Sequence, residues 1–288
     1  MDLSIVIVNY NTCKLTCDAI QSVLRSDTSC RYEIIVVDNH SSDDSIDTIS
    51  RLFPEVILIG NAANVGFARA NNQAIRMASG RYILLLNSDT VIQPDTIQVM
   101  VSFMDQHPEV GASGCKVVLP DGRLDKACRR GFPTPVASFY YLSGLSRLFP
   151  KSARLNQYQL THLDPDESYP VDCLVGAFMM VRRETIDQVG LLDEDFFMYG
   201  EDVDWCYRIK QAGWVIYYYP HTLITHYKGA SSRRKPLKII YEFHRAMYLF
   251  HKKHYRQKYS WLTNAVVYLG ISLKLLLSLI QNKWTRIG

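Results

Sequence analysis

The chain has 288 residues, 48% of them hydrophobic and 21% charged, a composition that excludes a disordered or fibrous protein. Seven cysteines (Cys13, Cys17, Cys30, Cys115, Cys128, Cys173 and Cys206) include no Cys-x-x-Cys pair, which argues against a metal cluster or disulfide framework and for a reducing compartment. The formal net charge of +4 is uneven: residues 233–288 carry 12 Lys and Arg against one carboxylate, Glu242, while residues 1–232 carry 20 against 27.

Met1 leads directly into Leu3–Val8, a short apolar run read as a buried strand, with no basic segment of a secretory signal before it. A helix to about Arg25 follows, then a second buried strand over Tyr32–Asp38 and a helix to about Leu52. Strands are predicted at 55–59 and 81–86, with a helix over 65–79 between them that Gly80 closes as a C-cap. Pro94 opens a helix to His107, and 110–119 returns as a strand. Residues 120–170 have little periodicity and read as loops around a site, with a helix near 135–148. A strand over 171–181, a helix over 184–189, a helix from Asp202 to Ala212 and a late strand over 214–219 complete the body. This alternation predicts an α/β fold with a mostly parallel central sheet flanked by helices, whose ligands bind at the carboxyl ends of the strands.

Polar residues stand at those ends. Asp38 suits hydrogen bonding to a ribose or base, or it is an ordinary turn aspartate. Asn64-Val65-Gly66-Phe67, with Asn71 and Asn72, is a glycine-bearing helix start that can approach a diphosphate, or simply a capped helix. Neither Gly-x-Gly-x-x-Gly nor Gly-x-x-x-x-Gly-Lys is present. Asn87-Ser88-Asp89 directly follows a buried strand, and Asp89 offers a hard oxygen ligand to Mg²⁺ or Mn²⁺. His226 is the candidate second ligand, with a structural histidine as the alternative. Gly200-Glu201-Asp202-Val203-Asp204 places three carboxylates at one helix start, beside Phe196, Met198, Tyr199 and Trp205. Carboxylates complement the positive end of a helix dipole, yet one suffices for a cap. A carboxylate so placed also suits proton abstraction from a hydroxyl.

In this order the segments Ile5–Asn11, Val36–Asn39, Asn64–Phe67, Leu86–Asp89, Gly176–Phe178, Gly200–Asp204 and His226 resemble the family 2 glycosyltransferases, specifically the rhamnosyltransferase-like subgroup, across residues 3–231. The resemblance implies a Rossmann-like GT-A fold, with a nucleotide-binding half over about 1–118 and an acceptor-binding half over about 119–232. It implies an inverting transfer from a nucleotide-sugar donor, rhamnose favoured, to a hydroxyl of a lipid-linked or other glycan in cell-surface polysaccharide synthesis. Asp202 matches the catalytic base, with Glu201 assisting. Asp38 matches the nucleotide-binding aspartate, and Asn9, Asn64, Asn71, Ser88, Gly176 and Ala177 fall on the donor side. Asp89 and His226 match the holders of a divalent Mg²⁺ or Mn²⁺. Asn87 replaces the first acid of the family's metal-binding Asp-x-Asp. Phe196, Met198, Tyr199, Asp204 and Trp205 are candidates for the acceptor platform, Trp205 alternatively for the core.

The basic tail calls for an anionic partner. Residues 261–280 are mostly apolar, interrupted by Asn264 and Lys274, with Leu262, Val266, Leu269, Leu273, Leu276 and Ile280 on one helical stripe. The expectation is an amphipathic helix in the inner face of the cell membrane, beside a basic helix on anionic headgroups, making the protein cytoplasmic and peripheral. A spanning helix, and a helix packed on the body or on a second protomer of a homodimer, are the alternatives. No nucleic-acid-binding motif accompanies the charge. Competing functions are a nucleotidyltransferase, disfavoured by Asn9-Tyr10-Asn11-Thr12 in place of a glycine- and arginine-rich loop, and a non-catalytic assembly subunit.

Overall fold

The computed structural model describes residues 1–228 and 237–284. Strand β1 (Leu3–Asn9), with every residue buried, lies between β2 (Tyr32–Asp38) and β4 (Tyr82–Asn87), parallel to both. Strand β3 (Ile57–Gly60) extends this parallel half beyond β2. The intervening helices α1 (Cys13–Leu24), α2 (Ser45–Leu52) and α3 (Phe67–Met77) bury one face each against the sheet.

Beyond β4 the sheet becomes mixed, in the order β3-β2-β1-β4-β8-β6-β9-β5. A three-residue strand β5 (Thr90–Ile92) precedes α4 (Thr96–Gln106) and β6 (Val110–Val118). The helix expected near 135–148 is two, α5 (Pro135–Leu142) and α6 (Leu145–Leu148), separated at Gly144 in the left-handed region. The strand expected over 171–181 is interrupted. Strand β7 (Tyr169–Pro170) pairs with β9, Cys173 bridges Arg130, and only β8 (Phe178–Arg182) joins the main ladder, antiparallel to β4 and β6. Helices α7 (Arg183–Val189) and α8 (Glu201–Gln211) precede β9 (Val215–His226), which runs far past the expected end at 219. Pro220 concealed that continuation. It sits where the β6–β9 register shifts between Gly114 and Lys116, a bulge at which a missing N–H costs no ladder bond.

Gly80 is not the expected helix cap. Helix α3 closes at Ala78, and a Cβ on Gly80 would lie 2.5 Å from the Ser4 amide nitrogen, so glycine is needed there for backbone approach to β1.

The tail forms α9 (Leu237–His254) and α10 (Trp261–Trp284). The expectation that the basic helix lies on headgroups is corrected. Ala246, Phe250 and Tyr255 join the main core, and Arg245 donates to the Asp195 carbonyl at 2.7 Å, so α9 is part of the globular body. Arg233, Arg234 and Lys235 lie outside the described residues. Helix α10 packs on α9 through the two polar interruptions of its apolar run: Asn264 Oδ1 is 2.8 Å from His251 Nε2, and Lys274 lies over the Phe243 ring. The Leu262-to-Ile280 stripe is exposed throughout. With 23 residues over Trp261–Lys283 and a mean hydropathy of 1.7, α10 is long and apolar enough to cross a membrane.

Candidate active site

The parallel register places Asn9 beside Asp38, and Val8 beside Asn87, at the carboxyl edge of the sheet. Asn9 donates to Asp38 Oδ2 at 2.6 Å, and its Oδ1 accepts from Thr12 and Thr16, both at 2.7 Å. The other oxygen of Asp38 accepts from the Ser41 amide at 2.9 Å. Neither Asn9 nor Asp38 has exposed surface. Asn9 thus orients Asp38, and Asp38 fixes the 39–42 turn, in which His40 holds φ +68°.

The neighbouring loop is organised by a residue the sequence reading passed over. Buried Asn39 donates to Asn64 Oδ1 at 3.0 Å, and its own Oδ1 accepts from the Val65 amide at 3.0 Å. Asn64 also accepts from the Gly66 amide. Asn71, expected on the donor side, is buried and donates to the Phe67 carbonyl of its own helix at 2.8 Å. Ser88 stays half-buried, 3.1 Å from the Thr12 hydroxyl.

At the next strand end, β5 pairs with β9 so that Thr90 faces His226. Asp89 Oδ1 then lies 3.1 Å from His226 Nε2, and Asp125 Oδ2 lies 3.3 Å from Nδ1. Burial disfavours the imidazolium, but the two carboxylates prevail and raise its pKa above that of an ordinary histidine. Burial would likewise raise Asp125, yet His226 and Lys228 hold it well below the carboxylate range. Asp125 is the second residue missed from sequence. It lies in the aperiodic 120–170 stretch, and only folding brings it to His226.

This arrangement fits a divalent cation. A carboxylate on Nδ1 orients a histidine to ligate through Nε2. Asp89 Oδ1 and His226 Nε2 approach each other at 3.1 Å, so the two side chains could both face one cation. Among the described residues no group of three His, Cys, Asp or Glu side chains is placed to hold a metal ion.

Across the edge, Tyr199 (φ +70°) and Gly200 (φ +84°) turn the chain into α8. Asp202 accepts from Arg130 Nη2 at 2.7 Å and from the Val203 amide at 2.8 Å. Arg130, the third missed residue, also donates to the Leu174 carbonyl at 2.7 Å. Glu201 is 6% exposed and its Oε2 has no hydrogen-bond partner. Burial, then the neighbouring Asp202 charge, pushes its pKa up to about 8. At neutral pH Glu201 therefore keeps its proton beside Asp202.

Gly176 stands against Asp202. A Cβ there would find its nearest atoms 3.6 Å away on Phe67 and 3.9 Å away on Asp202, ordinary contact distances, so packing in the ligand-free protein does not demand glycine. Ala177 is buried and its carbonyl accepts from the Asn87 amide at 3.1 Å. The acceptor platform is smaller than expected. Phe196 and Trp205 are core residues, the Trp205 indole donating to the Gly190 carbonyl at 2.9 Å. Asp204 is fully buried among Arg208, Lys253 and His254. Half-buried Met198 and exposed Tyr199 remain accessible.

The sheet, with acids and amides at its carboxyl edge and a paired carboxylate facing them, defines a GT-A glycosyltransferase fold. The same fold is seen in mannosyltransferase PcManGT from Pyrobaculum calidifontis, solved with GDP-Man and Mn²⁺ (TM-score 0.60, 19% identity, covering 98% of this chain and 71% of that one). It is seen again in S. aureus TarS 1-349 (TM-score 0.59, 15% identity, 95% and 71% covered). The profile of the Glycosyl transferase family 2 matches residues 4–190, and the chain belongs to that family. Its relatives include the N-acetylglucosaminyl-diphospho-decaprenol L-rhamnosyltransferase of Mycobacterium tuberculosis, 29% identical over 228 residues (75% of this chain, 73% of that one). Rhamnosyltransferase WbbL of Escherichia coli K12 is 27% identical over 209 residues (70% and 75% covered).

Proposed function

We propose that the protein is an inverting rhamnosyltransferase that transfers the sugar of a nucleotide donor to a hydroxyl of a lipid-linked glycan in cell-surface polysaccharide synthesis. The observation that carries this reading is the side-chain-free position Gly176, set against Asp202 and joined through the Ala177 carbonyl to the Asn87 amide that opens the Asn87–Asp89 turn. The rhamnosyl donor and lipid-diphosphate acceptor follow from the two relatives.

Asp202 takes the proton of the acceptor hydroxyl while that oxygen attacks the anomeric carbon from the face opposite the nucleotide. Arg130 pairs with the Asp202 carboxylate at 2.7 Å. Arg130 fixes its direction, since the guanidinium is anchored to the Leu174 carbonyl. Glu201, neutral beside it, avoids a second negative charge at the helix start. Asp38 hydrogen-bonds the nucleoside in place of the Ser41 amide, with a shift of the 39–42 turn, and Asn64 and Ser88 line the approach of the phosphates. Asp89 and His226 hold Mg²⁺ or Mn²⁺, with Asp125 setting the histidine. Such an ion, when bound, offsets charge on the departing diphosphate. The exposed stripe of α10 seats the protein on the cytoplasmic face of the membrane, beside a lipid-borne acceptor.

The test is a donor panel (dTDP-rhamnose, UDP-N-acetylglucosamine, GDP-mannose) with a short-chain N-acetylglucosaminyl-diphospho-lipid and Mn²⁺. Transfer from dTDP-rhamnose giving the inverted anomer is expected. Transfer from another donor alone overturns the rhamnosyl assignment, and transfer from none overturns the reading.

A further inference from the structure

A second concavity lies away from the sheet edge, in the aperiodic stretch. Phe132, Thr134, Gln157, His162 and Asp172 line a cavity of about 290 Å³, with Ala153 at its wall. That is the lower end of the size range of small-ligand sites, room for one sugar ring and not for a nucleotide. An aromatic face with a hydroxyl, an amide, an imidazole and a carboxylate is the chemistry that recognises a polyol: ring C–H groups lie on the aromatic while the polar groups exchange hydrogen bonds with hydroxyls. No Lys or Arg is among the lining residues, although Lys210 borders the cavity, paired with Asp172 and lying over the Phe132 ring.

Two of the lining polar groups differ in their bonding. Gln157 is exposed and makes no side-chain hydrogen bond among the described residues, so its amide is available to a ligand hydroxyl. Asp172 accepts from Lys210 and, at 3.3 Å, from the Phe132 amide.

Its position relates it to the base. The Arg130–Cys173 bridge joins two short antiparallel segments. At one end Arg130 holds Asp202, and two residues on, about 7 Å along extended backbone, Phe132 lines the cavity. Both residues face α8, Arg130 through Asp202 and Phe132 through the Tyr207 ring, with centroids 5.0 Å apart. A wall residue of the cavity and the partner of Asp202 thus lie two positions apart and pack on the same helix.

We infer that this cavity is a subsite for a neutral sugar ring of the acceptor glycan, reading the acceptor's sugar separately from its diphosphate-lipid. This rests on the reading that the protein glycosylates a glycan. The first variant is Ala153→Trp, which fills the cavity from an exposed position; the second is the double variant Gln157→Ala/His162→Ala, which removes side chains without breaking an internal bond. Two readouts separate the two readings. In saturation-transfer NMR, the wild-type protein should transfer magnetisation to the ring protons of N-acetylglucosamine or its β-1,4 dimer, and both variants should lose most of that signal. In the transferase assay, kcat/KM for the short-chain N-acetylglucosaminyl-diphospho-lipid should fall about tenfold or more, carried by KM and not kcat, with the donor KM not following.

Equal sugar signals in wild type and variants, or none in the wild type, overturn the subsite. So does competition by the same lipid diphosphate lacking sugar that is lost in Ala153→Trp, since the cavity would then hold the anionic group. A wild-type protein that shows the NMR contrast but transfers no sugar overturns the glycosyltransferase reading and leaves a sugar site standing.

Discussion

His254 Nε2 lies 2.7 Å from Asp204 Oδ1, joining the tail helix α9 to the catalytic helix α8 through a carboxylate with no exposed surface. Burial would raise the Asp204 pKa, but His254, Arg208 and Lys253 together hold it at about 2. One turn away, Ala246 of α9 sits against Gly200, where an added Cβ would come within 3.1 Å. The tail thus braces the turn that presents Glu201 and Asp202.

Replacing Asp204 by Ala leaves Arg208, Lys253 and His254 without their shared carboxylate. Breaking a buried ion pair from one side costs about 3–5 kcal/mol, so Asp204→Ala should lower Tm by roughly 6 °C or more in a chain of this size. Differential scanning calorimetry measures it, and an unchanged Tm would show that the cluster does not hold α9 down.

Asp202→Asn preserves shape and removes the basic oxygen. A general base typically contributes about 10²–10⁴ in rate, and kcat should fall by that order while nucleotide affinity stays within about twofold. Full activity in this variant would remove Asp202 from the base role.

Glu201 makes stability depend on pH. Its folded-state pKa is raised to about 8 from 4.5, so between these values the folded chain retains a proton that the unfolded chain has released. Stability is therefore highest below about pH 4.5 on this account and falls as pH rises towards 8. Urea unfolding at pH 5, 6.5 and 8 should show wild type losing ground to Glu201→Gln across the series. A constant gap between the two would contradict a buried, raised carboxyl.

Asp125→Asn weakens the hold on the His226 tautomer. Loss of such an outer carboxylate costs about 10–100-fold in metal affinity, to be measured by Mn²⁺ titration in the presence of nucleotide diphosphate. If affinity is unchanged, Asp125 serves the fold alone.

Gly66 and Gly176 should respond oppositely to alanine. Gly66 has φ +88°, and its Cβ would lie 2.6 Å from the Phe197 carbonyl, so Gly66→Ala should destabilise by about 1–3 kcal/mol. Gly176→Ala meets only ordinary contacts in the ligand-free protein. It should leave Tm intact and raise donor KM, and a change in Tm with unchanged KM would reverse that account.

The sequence by itself determined the α/β order and the carboxylate-bearing strand ends. Buried β-branched runs such as Ile34–Val37 permit little besides a central strand, and the motifs around Asp38, Asp89 and Glu201–Asp202 are contiguous in the chain. What only the tertiary structure decided rests on contacts between distant segments. Arg130 reaches Asp202 across 72 positions and Asp125 reaches His226 across 101, from a stretch with no periodicity to announce it. The fates of Phe196, Asp204 and Trp205 were likewise open, because an aromatic or acidic residue at a helix start suits a ligand or a core equally well. Packing of α9 against α8 buried Asp204, while Trp205 sits in the core with its indole on the Gly190 carbonyl. The tail divided for the same reason: α9 found a partner in the body, while the apolar stripe of α10 remained uncovered.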